Sequence, residues 1–370
     1  MDYEVIVEGS TRLRVPVGGG ISKDEEVFYN PHMRLNRDIT VALCRVLKPK
    51  SFIDVMAGSG ARGIRVANEA KVEVTLNDLN PRAVGLIRDN AALNGVEVQI
   101  ESKDARAALI GGRYGFFDLD PFGPPVAYLE SVFSAARWGN FIGVCATDTS
   151  ALCGSYPRAC MRKYDAVPLR CDCYDEAGLR ILLGFMARIA LRHESGIEPL
   201  LCHSTRHYMR AQVRLGSRHQ ETLKSLGYMQ YCFGCLRRVY RHLSGLNEVC
   251  TCGERLQTAG PLWTGRFADP QICGQVAEEL LGGEFQEKSS GVRLLKHLAE
   301  EQEIVSPYYD IHKLCSKIGT EIPKTEALAE RVSSSGYRFV RTHFSVVGFR
   351  TDMPYEELTL AIKELRKAGD

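Results

Sequence analysis

Apolar and polar positions largely alternate at the start of the chain. The segments 3–8 and 12–15 carry this period-two pattern, and Gly9 and Ser10 separate them. Such a pattern is typical of two β-strands joined by a tight turn. The three glycines at 18–20 then predict a flexible loop.

Short apolar runs and amphipathic segments alternate along the next part of the chain. Strands are predicted at 51–56, 72–76, 96–101, 116–119 and 141–146, with helices between them at 61–70, 82–94 and 126–137. A long helix is predicted at 177–193, and the alternating segment 207–215 predicts the last strand of the sheet. This order is typical of a parallel sheet with helices on both faces. We therefore predict an α/β domain over residues 1–215, a doubly wound, Rossmann-like sheet preceded by the hairpin.

The pattern changes after residue 215. Helices are predicted at 291–301, 309–317, 324–333 and 355–367, with a strand-like segment at 337–341. Two helices followed by a hairpin resemble a winged-helix arrangement. We predict a second, α+β domain over residues 216–370, and it contains a cysteine-rich segment at 232–252.

Composition narrows the class of protein. The 370 residues are 45% hydrophobic and 25% charged, which is ordinary for a globular chain of two or three domains. The sequence contains no apolar run long enough to predict a membrane span. The acidic N-terminus does not resemble a signal peptide, so we expect a cytoplasmic protein. The odd number of 13 cysteines argues against a secreted disulfide framework.

Charge is unevenly distributed along the chain. The formal net charge is only +2, but the stretch 201–250 holds eight Lys and Arg against two Glu. One such stretch is often a solvated face, yet its place after the α/β domain makes it a candidate RNA-binding surface.

A glycine-rich loop follows the first predicted strand of the sheet. Asp54 ends that strand, Gly58 and Gly60 lie in the loop, and Asp78 ends the next strand. Glycines allow close backbone approach to a ligand, and a carboxylate at the position of Asp78 can accept hydrogen bonds from ribose hydroxyls. A dinucleotide or S-adenosyl-L-methionine would both fit this pattern. The acidic Asp54 favours the second and resembles the first motif of class I methyltransferases.

Asp104 and Ala105 follow the third strand of the predicted sheet. They resemble the turn that binds the adenine amino group in class I methyltransferases, although Asp104 could instead cap a helix.

The segment Asp120-Pro121-Phe122-Gly123 follows the fourth strand. An exocyclic amino group on a base is a poor nucleophile, and a carboxylate with a neighbouring carbonyl can bond its hydrogens in the transition state. Phe122, beside them, can stack on the base. The segment is similar to the Asp/Asn-Pro-Pro-aromatic signature of amino methyltransferases, but Phe122 replaces the second proline and Gly123 the aromatic residue. An ordinary turn at the end of a strand remains the alternative.

Several ordered motifs together resemble one family, the archaeal and eukaryotic tRNA (guanine(26)-N(2))-dimethyltransferases. The matching segments are 28–38, 56–63, 118–123, 145–148, 338–344 and 350–352. The resemblance covers essentially the whole chain. It implies an enzyme that uses S-adenosyl-L-methionine to convert a tRNA guanine to its N2-methyl and then its N2,N2-dimethyl form.

The resemblance also implies roles for single residues. Arg37 and Arg62 would contact the carboxylate end of the cofactor, although either could instead be an ordinary ion-pair residue. Asp78 would hold the ribose, and Asp104 with Ala105 the adenine. Asp120 would be catalytic, and Phe28 would pack on the target base or serve as a core aromatic.

Cys232 and Cys235 form a Cys-x-x-Cys pair, and Cys250 and Cys252 follow after fourteen intervening residues. Four thiolates would make a closed, structural zinc site. Four reduced cysteines are the alternative. We interpret the second close pair, Cys171 and Cys173, as incidental because no further cysteine pair accompanies it.

Three rival functions stay open on the residues alone. They are an RNA base-amino methyltransferase with another target, a nicotinamide-dependent oxidoreductase, and a non-enzymatic zinc-ribbon RNA-binding protein. The expected macromolecular partner is tRNA, and neither a membrane nor an obligatory protein partner is indicated.

Overall fold

The computed structural model describes residues 2–17 and 27–367. Strands β1 (Tyr3–Glu8) and β2 (Thr11–Pro16) pair antiparallel around Gly9 and Ser10, which confirms the predicted hairpin. The loop predicted at 18–20 lies outside the described residues.

A seven-stranded sheet forms the centre of the first part of the chain. In spatial order its strands are β5 (Gln99–Glu101), β4 (Glu73–Asn77), β3 (Ser51–Asp54), β6 (Phe116–Leu119), β7 (Phe141–Ala146), β9 (Tyr208–Gly216) and β8 (Gly196–Thr205). The first five are mutually parallel, so their carboxyl ends meet at one edge. The predicted α/β fold class is confirmed.

Helices precede, connect and follow the strands of this sheet. They are α1 (Arg34–Leu47), α2 (Ala61–Arg65), α3 (Pro81–Asn94), α4 (Ala105–Leu109), α5 (Val126–Ala135), α6 (Thr149–Leu152), α7 (Pro157–Tyr164), α8 (Tyr174–Arg192) and α9 (His219–Lys224). A short 3-10 turn at Pro31–Met33 precedes α1, and α2 continues as a π-helical turn at Val66–Ala70. Asn80 caps α3 by accepting a hydrogen bond from the Arg82 amide, with Pro81 at the first helical position.

Strand β9 is last in sequence but not at the edge of the sheet. It lies antiparallel between β7 and β8, and β8 forms the edge. Strand β8 was not predicted, because Pro199 interrupts the run of residues that would indicate a strand. Proline is tolerated on edge strands and at bulges, and the register of β8 shifts between Pro199 and Leu201.

After α9, the described residues of the second part of the chain form two small sheets and five further helices. The first sheet has the order β11 (Arg238–Arg241), β10 (Leu226–Tyr231), β12 (Gln257–Trp263), and the second β13 (Tyr309–Asp310), β15 (Gly348–Thr351), β14 (Phe339–Arg341). The helices are α10 (Pro270–Gly282), α11 (Lys288–Glu301), α12 (Ile311–Ile318), α13 (Thr325–Ser334) and α14 (Tyr355–Lys367). Helices α12 and α13 followed by the β14–β15 hairpin match the predicted element order, whereas α10 was not predicted.

The apolar core divides later than residue 216. Met229, Leu262 and Cys273 belong to the same buried cluster as the large sheet, and a separate cluster begins at Tyr309. The sheet of β10–β12 therefore packs on the α/β body through α8. In the described ranges, no helix has both the length and the apolar character needed to span a membrane.

Candidate active site

A cavity of about 340 Å³ opens at the carboxyl edge of the large sheet. Seven residues predicted for the site line it: Phe28, Gly58, Asp78, Asp104, Ala105, Asp120 and Phe122. Asn30, Asn77, Tyr128 and Thr147 also line it and were not predicted. Because the strands β3, β4, β5 and β6 end here, residues far apart in sequence converge on one space.

The glycine loop after β3 adopts a conformation that side chains would oppose. Gly58 and Gly60 have φ values of 55° and 75°. A Cβ on Gly58 would lie 3.1 Å from the carbonyl oxygen of Phe28, and one on Gly60 would lie 2.9 Å from Ile87. The two glycines thus let the loop turn tightly against Phe28 and Ile87, and Gly58 lines the cavity with its backbone.

Asp78 fixes this loop. Its carboxylate accepts hydrogen bonds from the backbone amides of Gly58, at 2.8 Å, and Asn80, at 2.9 Å. The neighbouring Asn77 joins two further turns, since its side chain donates to the Val55 and Lys103 carbonyls and accepts from the Lys103 amide.

Asp104 lies across the cavity from that loop and begins α4. Its carboxylate accepts from the Arg106 amide and from Arg106 Nε, both at 3.0 Å, and these hydrogen bonds lower its pKa. The capping role considered for Asp104 is therefore present. Ala105 and Asp104 line the cavity together.

Asp54 lies behind the cavity wall and is almost fully buried. Burial, reinforced by the negative charge of Asp118, raises the pKa of Asp54 to about 7, although Arg62 opposes the shift. A carboxyl in this state gains ionisation when a cation binds next to it.

Arg62 contacts Asp120 directly. Its Nη2 donates to Asp120 Oδ2, its Nε lies 3.4 Å from Asp118 Oδ1, and its Nη1 donates to Asn36 Oδ1 at 2.9 Å and to Thr40. Arg62 is not among the described residues that line the cavity. It was predicted to contact a cofactor carboxylate, and its pairing with Asp120 was not predicted.

Asp118 and Arg210 support this arrangement from below. Both are fully buried, and an Arg210 Nη2 hydrogen bond to Asp118 Oδ2 joins β9 to β6. Neither was predicted as a site residue. Arg210 and Arg214 occupy equivalent positions of the alternating segment 207–215, so the local pattern did not distinguish the buried arginine.

Arg37 is engaged elsewhere. Its Nε donates to Glu8 Oε2 at 2.8 Å, its Nη2 donates to Glu8 Oε1, and its Nη1 donates to the Asn30 carbonyl. Burial opposes ionisation of Glu8, but Arg37 and Arg65 outweigh it and lower its pKa to about 2. The guanidinium of Arg37 thus lies one layer behind Asn30, which lines the cavity.

Two aromatic rings flank the cavity mouth. Phe28 and Phe122 meet edge to face with centroids 4.4 Å apart at 77°, and Phe122 is 47% exposed. The loop that carries Phe122 is held by a hydrogen bond of 2.7 Å from the Gly123 amide to Thr147 Oγ1. A planar base can pack against such a surface.

The four cysteines at 232–252 converge at a second place. Cys232 follows β10, and all four sulfurs lie within 4.8 Å of one another. The Sγ atoms of Cys232 and Cys252 are 3.4 Å apart, and those of Cys235 and Cys250 are 3.6 Å apart. A tetrahedral site with Zn–S bonds of about 2.3 Å places its sulfurs about 3.8 Å apart, so this donor set fits zinc.

Cys171, Asp172 and Cys173 also lie close together. However, Arg238 binds the Asp172 carboxylate through two hydrogen bonds of 2.7 and 2.9 Å, and Tyr231 donates a third. Two thiols alone do not complete a metal site.

Comparison with known proteins gives a consistent result. Residues 3–363 match the family described as N2,N2-dimethylguanosine tRNA methyltransferase. A protein of Methanosarcina acetivorans named tRNA (guanine(26)-N(2))-dimethyltransferase is 38% identical, over 99% of this chain and all of its own length. One of the same name from Methanothermobacter thermautotrophicus is 37% identical, over 95% of this chain and 96% of its own.

A solved structure is similar over nearly the whole length. It is the complex of Trm1 from Pyrococcus horikoshii with S-adenosyl-L-methionine. The two chains are 34% identical and superpose with a TM-score of 0.88, covering 97% of this chain and 99% of the other.

Proposed function

This chain belongs to the N2,N2-dimethylguanosine tRNA methyltransferase family, and on that premise we propose which of its residues carry the reaction. The protein is an S-adenosyl-L-methionine-dependent enzyme that methylates N2 of guanine 26 in tRNA. One observation carries the proposal: the glycine loop with Asp78 and the pair Asp120–Phe122 line one cavity.

The cavity fits S-adenosyl-L-methionine by shape and by charge. Gly58 lines the cavity with bare backbone, and Asp54 has a raised pKa that a neighbouring cation would relieve. Asp78 would hold the ribose, and Asp104 with Ala105 the adenine. When bound, the cofactor supplies an electrophilic methyl group on a cationic sulfur.

Arg62 and Arg37 would act at the carboxylate end of the cofactor from behind the wall. Most donors of Arg62 are already used, by Asp120, Asn36 and Thr40. We propose that its main task is to hold Asp120, and that Arg37, which binds Glu8 and the Asn30 carbonyl, supports the cavity wall at that end.

Asp120 would receive the amino group of the target guanine. The Arg62 guanidinium holds its carboxylate in one orientation, so it is preorganised to accept a hydrogen bond from N2–H. As N2 bonds to the methyl group it becomes cationic, and Asp120 is placed to stabilise that charge and accept the proton. Phe28 and Phe122 would pack on the base and exclude water.

Residues 216–370 would bind the tRNA, and the four cysteines would hold a structural zinc ion within that part. Replacing Cys232 with Ser should release zinc and lower the melting temperature, because three thiolates bind the ion less tightly. Cys171→Ser, a buried thiol outside the cluster, is the matched control and should keep the metal. Equal zinc content in the two variants would refute the zinc site.

The reaction is tested by methyl transfer to unmodified tRNA, with product nucleosides identified by mass spectrometry. We expect N2-methyl- and N2,N2-dimethylguanosine with guanine at position 26, and neither when adenine replaces it. Formation of N6-methyladenosine would overturn the assignment of the target atom.

A further inference from the structure

Helix α7 has a cationic outer face. Cys160 and Tyr164 are buried beneath it, whereas Arg158, Met161 and Arg162 are exposed. The two arginines are four residues apart, so they lie on the same side of the helix, about 6 Å apart along its axis. Throughout residues 2–17 and 27–367 neither has an ion-pair partner.

This helix is attached to the wall of the active-site cavity. Thr147 lines the cavity, and the next residue, Asp148, accepts hydrogen bonds from Lys163 Nζ at 3.1 Å and from the Tyr164 hydroxyl at 2.7 Å. The cationic face of α7 is therefore held beside the same sheet edge at which the methyl group is transferred.

Further cations line a groove of about 750 Å³, and Arg170 connects this groove to the segment before α7. Arg170 donates to Ser155 just before α7 and lies 5.3 Å over the ring of Tyr174. Lys313 and Lys317 of α12 line the far side of the groove. We call Arg158, Arg162, Arg170, Lys313 and Lys317 the α7–α12 surface.

Aromatic side chains accompany these cations. Tyr156 precedes α7 and is 66% exposed, and Phe233, inside the cysteine loop, is 46% exposed. Exposed rings next to free guanidinium groups are suited to stacking on unpaired bases.

Several carboxylates near this surface are already engaged. Arg238 forms an ion pair with Asp172, the Cys153 thiol donates a hydrogen bond to Asp175, and Asp310 caps α12. Exposed exceptions are Asp165 at the end of α7, Glu254 beside the cysteine loop and Glu321 just after α12. The cations of the surface thus outnumber the free acids, which favours a polyanionic partner.

We propose that the α7–α12 surface binds the phosphate backbone of the tRNA strand that leads to the methylated guanine. The proposal rests on the proposed function for the nature of the substrate, and it adds a contact that the α/β body itself provides. Arginine and lysine neutralise phosphates, while Tyr156 and Phe233 contact bases that the backbone presents.

The double variant Arg158→Gln/Arg162→Gln in the full-length protein tests this contact. Its Kd for unmodified tRNA should rise about tenfold. The slope of log affinity against log salt should fall by about 1.5 to 2, since two phosphates lose their partners. The kcat at saturating tRNA should stay within about twofold, because Asp120 and its partners are untouched.

Lys50→Gln/Arg113→Gln is the matched control. It removes the same charge from exposed side chains at the opposite edge of the sheet, where β3 and β6 begin. Its Kd and salt slope should match those of the wild type. A second variant, Lys313→Gln/Lys317→Gln, should weaken binding severalfold from the other end of the surface.

Equal Kd values and salt slopes for the α7 variant and the control would overturn the proposal. So would a lower kcat with unchanged affinity for tRNA. Because binding is measured directly, this result is independent of catalysis. If the wild type bound tRNA but left guanine 26 unmodified, the proposed function would fail instead.

Discussion

Two clusters of buried charge differ in how they are balanced. The site cluster contains Asp54, Arg62, Asp118, Asp120 and Arg210, and it borders the cavity. The junction cluster contains Glu176, Arg180, Glu301 and Arg350, and it joins α8 to α11 and β15.

The junction cluster is complete. Glu176 accepts from Arg180 and Arg350, both at 2.8 Å, and Glu301 accepts from Arg350 at 2.8 and 3.0 Å and from His343. Burial opposes ionisation of Glu301, but His343 and Arg350 outweigh it and hold its pKa at about 2. Two carboxylates face two guanidinium groups, so this cluster is suited to fastening the two parts of the chain together.

The site cluster has one carboxylate in excess. Three aspartates face two arginines, and burial together with the charge of Asp118 raises the pKa of Asp54 to about 7. Asp120 is the member whose side chain remains 20% exposed, and it lies in the cavity wall. The unbalanced cluster beside the cavity is therefore suited to a cationic ligand, whereas the balanced cluster is suited to a structural role.

Breaking the junction cluster should give the largest change in stability. Arg350→Met would leave Glu301 buried without a guanidinium partner and should lower the free energy of unfolding by about 3–5 kcal/mol. Urea titration measures this loss. Methyl transfer per folded molecule should change little, since the described hydrogen-bond partners of Arg350 are Glu176, Glu301 and Ser306, none of which lines the cavity.

Arg331→Met provides the control for that experiment. Arg331 pairs with Glu364 at 2.7 Å, but both side chains are more than a third exposed, so the expected cost is below about 1 kcal/mol. Equal losses in the two variants would show that the junction cluster does not fasten the fold.

Changing the exposed member of the site cluster should act on catalysis instead. Asp120→Asn keeps the shape but removes the charge that accepts from N2–H, and kcat should fall about 10²- to 10³-fold. Calorimetry should show that S-adenosyl-L-methionine still binds. Asp89→Asn, an exposed carboxylate paired with Arg14, is the control. Near wild-type transfer by Asp120→Asn would remove Asp120 from the catalytic role.

Local pattern was enough to predict much of this site. The strand ends, the glycine loop, Asp78 and the four cysteines are all recognisable within a few residues, because strand period, turn geometry and ligand spacing are local properties. Asp78, Asp104 and Asp120 do meet at one cavity as expected for carboxyl ends of parallel strands.

Long-range partners were not accessible in this way. Glu8 pairs with Arg37 across 29 positions and Asp118 with Arg210 across 92, and nothing near either arginine in sequence identifies its acid. For the same reason Arg62 was expected on a cofactor carboxylate, while its strongest partner is Asp120, 58 positions away. Edge strand β8 was not predicted because Pro199 interrupts the residues that would indicate a strand.

The smallest expected effect is on the pH dependence of cofactor binding, through the carboxyl of Asp54. Its carboxyl faces Asp118, Asp120 and Asp78, with Arg62 as the opposing cation. Because its pKa is raised above the ordinary value, the free protein is stabilised by the protonated form and loses that contribution as the pH rises through about 7. A bound cation reverses the preference, so cofactor binding should release a proton from Asp54 near neutral pH.

The apparent Kd for S-adenosyl-L-methionine should therefore fall about tenfold between pH 6 and pH 7.5, as Asp54 becomes ionised before the cation arrives. This range lies below the ordinary pKa of the ligand's own amino group, about 7.7 to 8.0, so the trend reports on the protein. Calorimetry in buffers of different ionisation enthalpy measures both the Kd and the proton released. Asp54→Asn should bind more weakly with a flat pH profile, because the titrating group is gone. If Asp54→Asn kept the wild-type pH dependence of the Kd, another group would be the one that titrates. Asp54 would then no longer distinguish the site cluster from the junction cluster.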